Sequence, residues 1–450
     1  MGIPKSFDPA KGCKHVQAVN PKTDGKIGKC HIDGSAVSYT RFKNTEGRLL
    51  LKQFQKDAKT DVSQGLFVTS TPPPLVQWNG SSWSTPVSTT TNTPFVRNTS
   101  TATTMATVND TTSTRTSQGT PVVSYSISIA LSPSPTASLS SSSNPQQLNN
   151  ALNLYPELNR ARQQILPQLA RSMDRMYDNV YKKSEDVIHY DGPATMQKRF
   201  AHEQRAKASK KKREGLSGLI KTAETRLAVL ESKAQLSNRQ LSRLRASLSS
   251  HLFPLWTDER GVDTRTTSAV AKLLHETHGW QTHICAGQFD ICAGKIAHLD
   301  KNMTVISTDS DLMFMGVGTL IRFQAKGSQF HSYPIKKVYK HAGLKTEEEW
   351  VAAAILARND YDPSAGHQSF ENVIKEIVKI RGRRKQDRSV LGFVTTYCKD
   401  RGKDINVVQN SIESFIGLKE DLDTSYRPGN DELDESIRQI VYRVEALTHR

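Results

Sequence analysis

Val305-Ile306-Ser307-Thr308-Asp309-Ser310-Asp311-Leu312-Met313-Phe314 runs from apolar residues into two carboxylates two positions apart, then back into apolar residues. The opening reads as a buried strand, and residues i and i+2 of a strand share a face. In open α/β sheets, ligands gather beyond the carboxyl ends of the strands. Two carboxylates placed there suit a hard divalent cation that takes oxygen ligands, Mg²⁺ or Mn²⁺. An acidic turn after a strand is commonplace, so the pair gains weight only from acids elsewhere that repeat the theme.

Four do. Asp33 ends Cys30-His31-Ile32-Asp33-Gly34-Ser35, a short strand entering a small-residue turn, and Asp191 ends Asp186-Val187-Ile188-His189-Tyr190 ahead of Gly192-Pro193. Asp290 stands in Gln288-Phe289-Asp290-Ile291-Cys292-Ala293, which reads as the start of a helix, and Asp360 follows the helical pattern from Trp350 to Leu356. Singly, each is an ordinary cap or turn residue. Together they repeat strand, acid, turn, helix, an order that brings carboxylates to one edge of a sheet. Lys198 and Arg205 lie seven residues apart, a spacing that returns to the same face of a helix after about two turns. The basic run Lys207, Lys210, Lys211, Lys212 and Arg213 continues that helix. Taken alone it is a solvated face.

These stretches, in this order, resemble the flap endonuclease/XPG superfamily of 5′ nucleases, whose core is PIN-like, and within it the divergent asteroid-type members. Met1-Gly2-Ile3 is similar to the family's start, and His31 to Ala36 to its first acidic strand. Val187 to Pro193 is similar to a strand ending Asp-Gly-Lys-Pro, Val305 to Gly316 to the Asp-x-Asp strand, and Asn359-Asp360-Tyr361 to Gly-x-Asp-Tyr. The resemblance implies that Asp33, Asp191, Asp290, Asp309, Asp311 and Asp360 hold Mg²⁺ (or Mn²⁺), two ions in all. It also implies that Lys198 and Arg205 approach the scissile phosphate, and that Gly2 and the basic run contact nucleic acid. One position departs: Gln288 stands where the family carries Glu, offering a carbonyl oxygen but no charge. The family's helix–two-turn–helix element, which binds potassium, is degraded here to a stretch with Gly366 alone. The basic cluster Lys379, Arg381, Arg383, Arg384, Lys385 and Arg388 is a candidate replacement for duplex contact.

The chain has 450 residues, with 61 Lys+Arg against 44 Asp+Glu and a formal charge of +17. That balance favours polyanions, nucleic acid first, with salt-sensitive affinity. Five scattered cysteines suggest no disulfide framework and fit a reducing compartment. His275, His278, His283, Cys285, Cys292 and His298 match no common zinc-finger spacing, so ordinary packing is expected of them. No apolar run reaches transmembrane length, and no signal-peptide core opens the sequence. A nuclear or otherwise intracellular protein that is not secreted is expected, with DNA as partner and RNA as an alternative.

Residues 62–149 are dominated by Ser and Thr with frequent Pro, carry little apolar surface to bury, and are expected to be disordered. The expected organisation is a first part of the nuclease region over 1–61, that insertion over 62–149, the rest of the core over 150–365, and a helical region over 366–450. Within the core, 150–213 is similar to the family's N-terminal region, 199–252 holds arch-like helices, and 265–365 is similar to its internal region. The expected fold is α/β, with a central, mostly parallel sheet flanked by helices. The expected function is metal-dependent cleavage of phosphodiesters in flap or branched DNA. A nucleic-acid-binding scaffold with impaired chemistry is the alternative.

Overall fold

Short runs rich in Val, Ile and aromatic residues form the strands, as their steric fit to a pleated surface dictates. The computed structural model describes residues 10–25, 27–64, 77–78, 83–84, 156–233, 235–324, 329–357, 359–362, 369–383, 387–423 and 431–449. Among these the strands are β1 (Gln17–Val19), β2 (Cys30–Asp33), β3 (Gln77–Trp78), β4 (Trp83–Ser84), β5 (Val187–Tyr190), β6 (Gln281–Ile284), β7 (Thr304–Ile306), β8 (Thr319–Gln324) and β9 (Gln329–Pro334). The helices are α1 (Gly34–Ser63), α2 (Pro156–Asp178), α3 (Arg199–Glu231), α4 (Asn238–Ser247), α5 (Phe253–Arg260), α6 (Thr264–Glu276) and α7 (Phe289–Leu299). They continue as α8 (Ile335–His341), α9 (Glu347–Leu356), α10 (Phe370–Arg381), α11 (Val390–Asp400), α12 (Gln409–Phe415) and α13 (Asp431–Ala446).

Seven strands make one sheet in the order β1-β9-β8-β7-β2-β5-β6. The five from β8 to β6 run parallel, and β9 turns back against β8 with β1 antiparallel at the edge. This is the expected α/β architecture. Parallel strands buried on both faces need apolar residues pointing each way. Val305 and Leu320 enter the core beneath α7 to α12, whereas Ile32, Ile188, Ile306 and Ile321 enter the core beneath α1, α2 and α6. A third apolar cluster joins α1 and α2 to α3, α4, α5 and α13, with Leu50, Phe54, Leu216, Leu227, Trp256 and Ile440 at its centre.

The chain divides into Met1–Phe67 with Leu152–Arg450 as one compact unit, and Val68–Ala151 as another. In the second, Gln77 pairs with Ser84 and Trp78 with Trp83 in an antiparallel ladder. Within the segment expected to be disordered, Val62 and Ser63 close α1, with Gln64 as its C-cap, and β3 and β4 pair; the rest of that segment lies outside the described residues, as do Gly2, Gly366, Arg384 and Lys385. Arg381 and Arg383 of the proposed duplex-binding cluster are engaged by Glu349 and Asp400, and Lys379 by Glu376. The arch-like helices pack on α1 and α13 through the third cluster, while Leu219 of α3 is exposed.

That cluster encloses a buried ion network. Both guanidinium nitrogens of Arg260 donate to Glu46 of α1, at 2.9 and 2.5 Å. Asp434 of α13 accepts from the Trp256 indole at 2.6 Å and from Arg162 of α2. Removing one member of such a set leaves its partners charged and out of water, which costs more than the pair contributes. Arg260→Met should therefore lower unfolding free energy by about 3–5 kcal/mol, read as a drop in the urea midpoint. A change below the error of the fit would show that the network is neutralised by water instead.

Candidate active site

The carboxyl ends of β2, β5 and β7 meet at one edge of the sheet, and each carries an acid there. Asp33 is the last residue of β2 and caps α1, accepting from the Ala36 amide at 2.8 Å. The cap works because α1 presses directly on β5: a Cβ at Gly34 would lie 2.8 Å from Ile188 Cγ2 and 2.9 Å from the His189 carbonyl oxygen. Asp191 follows β5 and accepts from the Phe289 amide at 2.8 Å, which ties it to the start of α7. Gly192 is obligatory there, since a Cβ would sit 2.1 Å from the Cys285 carbonyl oxygen.

Asp309 and Asp311 reach the same edge by a route that the strand periodicity did not give. β7 ends at Ile306, so the pair does not share a strand face. Ser307 stops the strand: its hydroxyl donates to Asp33 at 2.6 Å and accepts from the Asp309 amide at 2.9 Å. Asp309 then accepts from the Asp311 amide at 3.0 Å, an Asx turn that opens the 3₁₀ turn Asp311–Phe314. Asp290 lies in the first turn of α7. Asp360 is delivered by Asn359, which is buried and clamps the end of α9 by donating to the carbonyls of Ala354 and Ala357 while accepting from the amides of Tyr361 and Asp362.

Two bases enter this cup. Lys198, in the 3₁₀ turn before α3, donates to Asp290 at 2.5 Å and lies over the Tyr361 ring. The Tyr361 hydroxyl donates to the same Asp290 oxygen at 2.9 Å. Arg205, one side of which is exposed, pairs with Asp360. The seven-residue spacing therefore does put both bases against acids, although Lys198 precedes the helix. Lys207, Lys210, Lys211, Lys212 and Arg213 continue outward as an exposed basic face; Lys212 is held by Asp258 at 2.7 Å. Gln288 is the residue before α7, with no side-chain capping bond. Sequence reasoning passed over Ser307, Asn359 and Tyr361 as supporting residues, although all three stand inside the quoted motifs. Their signal was hydrogen-bonding capacity next to an acid.

Electrostatics confirm the proximity. Burial pushes the Asp33 and Asp311 carboxyls well above their ordinary value, with the nearby charge of Asp191 acting on Asp33 and that of Asp309 on Asp311. Burial also raises Asp191 and Asp309, each next to the charge of Asp290. Asp290 goes the other way, because the Lys198 ammonium and its hydrogen bond outweigh burial. Burial disfavours the charge on Lys198, but Asp290, Asp309 and Asp311 overcome it and hold the ammonium well above its ordinary range. These five acids share one electrostatic environment, and the charge of Asp360 bears on Asp309 and Asp311.

A hard cation fits this donor set: the oxygens belong to carboxylates, and Asp311 Oδ1 is buried with no hydrogen-bond partner. The acids are gathered around Lys198 more loosely than around a single ion. Among the described residues no three of these carboxylates bring one oxygen each within 4.8 Å of one another.

The sequence matches no protein-family model and no curated protein. Among solved structures the fold is similar to human GEN1 in complex with Holliday junction DNA, at 14% identity and a TM-score of 0.31 over 59% of this chain and 57% of that one. It is similar to the T5 D15 protein co-crystallised with metal ions, at 13% identity and a TM-score of 0.32 over 63% of this chain and 94% of that one. The catalytic core of Rad2 in complex with DNA substrate follows at 14% identity and a TM-score of 0.30, over 59% of this chain and 67% of that one. The likeness is one of fold alone, and little more than half of the GEN1 chain is spanned. No helix among the described residues is long and apolar enough to cross a membrane.

The raised carboxyls have a thermodynamic consequence. A group whose pKa rises on folding keeps its stabilising share below the ordinary carboxylate range and loses it as pH climbs through the raised value. Metal-free protein should therefore lose stability between acid and neutral pH through Asp33, Asp191, Asp309 and Asp311, while Asp290 acts in the opposite sense. Asp311→Asn, which keeps the shape and removes a charge, should stabilise the metal-free protein at neutral pH by about 1–2 kcal/mol. Thermal melts in chelator measure this. A lower melting temperature for the variant would mean that Asp311 is already neutral there.

Proposed function

We propose that this protein is a metal-dependent nuclease that hydrolyses phosphodiester bonds in DNA, with flap or branched substrates preferred. The observation that carries the reading is the acidic cup itself: six carboxylates from five segments lie together with Lys198, and the buried Asp311 Oδ1 has no hydrogen-bond partner. In this reading Asp33, Asp191, Asp290, Asp309, Asp311 and Asp360 would hold Mg²⁺ (or Mn²⁺), in keeping with their oxygen-only donor set. Bound Mg²⁺ supplies an acidified water and charge neutralisation at the leaving oxygen.

The chain's own residues would do the rest. Lys198 offsets charge on the phosphoryl oxygens as it develops. Its ammonium is kept protonated by its acidic neighbours, so it remains a charge donor across the neutral range. Arg205 at the rim, with the exposed basic face beyond it, steers the phosphate backbone toward the cup. Ser307 and Asn359 fix the acids in register and touch no substrate.

A second reading, a nucleic-acid-binding protein with impaired chemistry, rests on two features. Gln288 brings no charge, and Lys198 and Arg205 already occupy Asp290 and Asp360. The two readings separate cleanly. Asp309→Asn with Asp311→Asn should lower Mg²⁺-dependent cleavage of flap DNA by about 10²-fold or more while leaving binding to the same DNA intact. Undiminished cleavage by that double variant sinks the nuclease reading. A parent inactive on matched DNA and RNA flaps that gains cleavage with Gln288→Glu establishes the impaired one.

A further inference from the structure

Strands β2, β5 and β6 carry histidines on the sheet face that α7 covers. His189 pairs in register with His283, and Asp33 stands opposite His189, with His31 two residues before it. Since alternate residues share a face, His31 lies below Asp33 and His189 below Asp191. The histidines form a tier one step inside the sheet from the acids. Their contacts are close: His189 Nδ1 to His283 Nδ1 is 3.2 Å, and His31 Nδ1 to His189 Nε2 is 2.9 Å. Cys285, just past β6, brings Sγ to 3.9 Å from His283 Nδ1, and Cys292 of α7 brings Sγ to 3.8 Å. One ligand atom from each of His189, His283, Cys285 and Cys292 lies within 4.8 Å of all the others.

We propose that His189, His283, Cys285 and Cys292 form a four-ligand structural zinc site beneath the acidic cup. The proposal is independent of the nuclease reading. Tetrahedral zinc, with bonds of about 2.3 Å to sulfur and about 2.0–2.1 Å to nitrogen, places its ligand atoms roughly 3.3–3.8 Å apart. The observed 3.2, 3.8 and 3.9 Å contacts lie close to that range, one at its upper bound and the others just outside it. Two thiolates and two neutral imidazoles balance the 2+ ion, and both thiol protons leave to solvent on binding. His31 completes the arrangement: with His189 Nδ1 on the metal, its Nε2–H donates to His31 Nδ1 and fixes the ring. Sulfur and imidazole donors select zinc over Mg²⁺, whereas the acids above favour the harder ion. His189 and Cys285 are buried, Cys292 is half-buried and His283 is exposed, so the ion has an entry path. Four protein ligands leave no open position, which marks a structural rather than a catalytic site. His275 and His278 take no part, being engaged by the Trp280 carbonyl and by Asp174.

The test is metal content of the full chain after desalting, together with the absorption of Co²⁺-loaded protein. Wild type should retain about one zinc per chain and show a thiolate-to-cobalt charge-transfer band. His283→Ala and Cys292→Ser should each lose the zinc and, with it, most of the charge-transfer band. Asp309→Asn should keep both, separating this site from the acidic cup. The proposal is overturned if wild type holds no zinc and gives no charge-transfer band, or if zinc persists in both His283→Ala and Cys292→Ser. A Cys285–Cys292 disulfide in freshly purified, reductant-protected protein overturns it as well. If the variants fail to fold, the wild-type cobalt spectrum still decides the question.

Discussion

The Lys198 ammonium among buried carboxylates is the interaction on which the acidic edge of the sheet depends. Asp33, Asp290, Asp311 and Asp360 are buried and Asp191 and Asp309 partly so, while among the described residues Lys198 and the rim residue Arg205 pair with them. Unit charges about 4 Å apart interact by roughly 4 kcal/mol at an effective dielectric of 20, so a cup with this imbalance cannot hold all its acids ionised without a further cation. Lys198 lowers Asp290 and leaves Asp33 and Asp311 raised. The remaining deficit is the physical argument for a divalent ion. It owes nothing to the solved structures of similar fold.

Such a cup stands only if its walls are held from outside. Asp33 caps one end of α1, and Glu46 farther along the same helix is gripped by Arg260. Lys43 of α1 and Lys212 of α3 both reach Asp258 of α5, at 3.1 and 2.7 Å. The helix that supplies an acid and the helix that carries the basic face are therefore joined through α5. Apolar packing on α13 completes that link. The arch-like segment is anchored along its length, and its basic start is aimed outward from Lys198.

Much of this was legible in the sequence because the signals are local. Asp33-Gly34 and Asp191-Gly192 announce a strand ending in a turn too crowded for a Cβ, and both turns are found. The Asp309/Asp311 pair reaches the sheet edge by a route other than strand alternation: the strand stops at Ile306, and side-chain capping by Ser307 and Asp309 brings the acids inward. Hydropathy periodicity has no channel for that. Likewise, Leu219 of α3 is exposed although Leu216 and Ile220 on either side are buried, because it lies off the face that packs into the third cluster. The His/Cys tier was illegible for a deeper reason. His189 and His283 are 94 residues apart and become neighbours only through strand pairing, so spacing rules written for local loops score them as unrelated.

The two tiers share a backbone, and this links their chemistry. His31 and Asp33 are on β2, His189 and Asp191 bracket the end of β5, and Asp290 and Cys292 lie in the first turns of α7. Any force that draws His189 and Cys292 together also brings Asp191 toward Asp290, because two residues of strand or helix transmit displacement with little loss. The Asp191 bond to the Phe289 amide, and the Gly192 amide bond to the Gly287 carbonyl at 2.7 Å, already close that seam. An ion in the lower tier would hold the strand ends and α7 together against the mutual repulsion of the acids above. Among the described residues no disulfide crosses this point, and the Lys198–Asp290 ion pair reaches α7 from outside the sheet. The fold thus places a soft-donor clamp where a hard-donor cup most needs support.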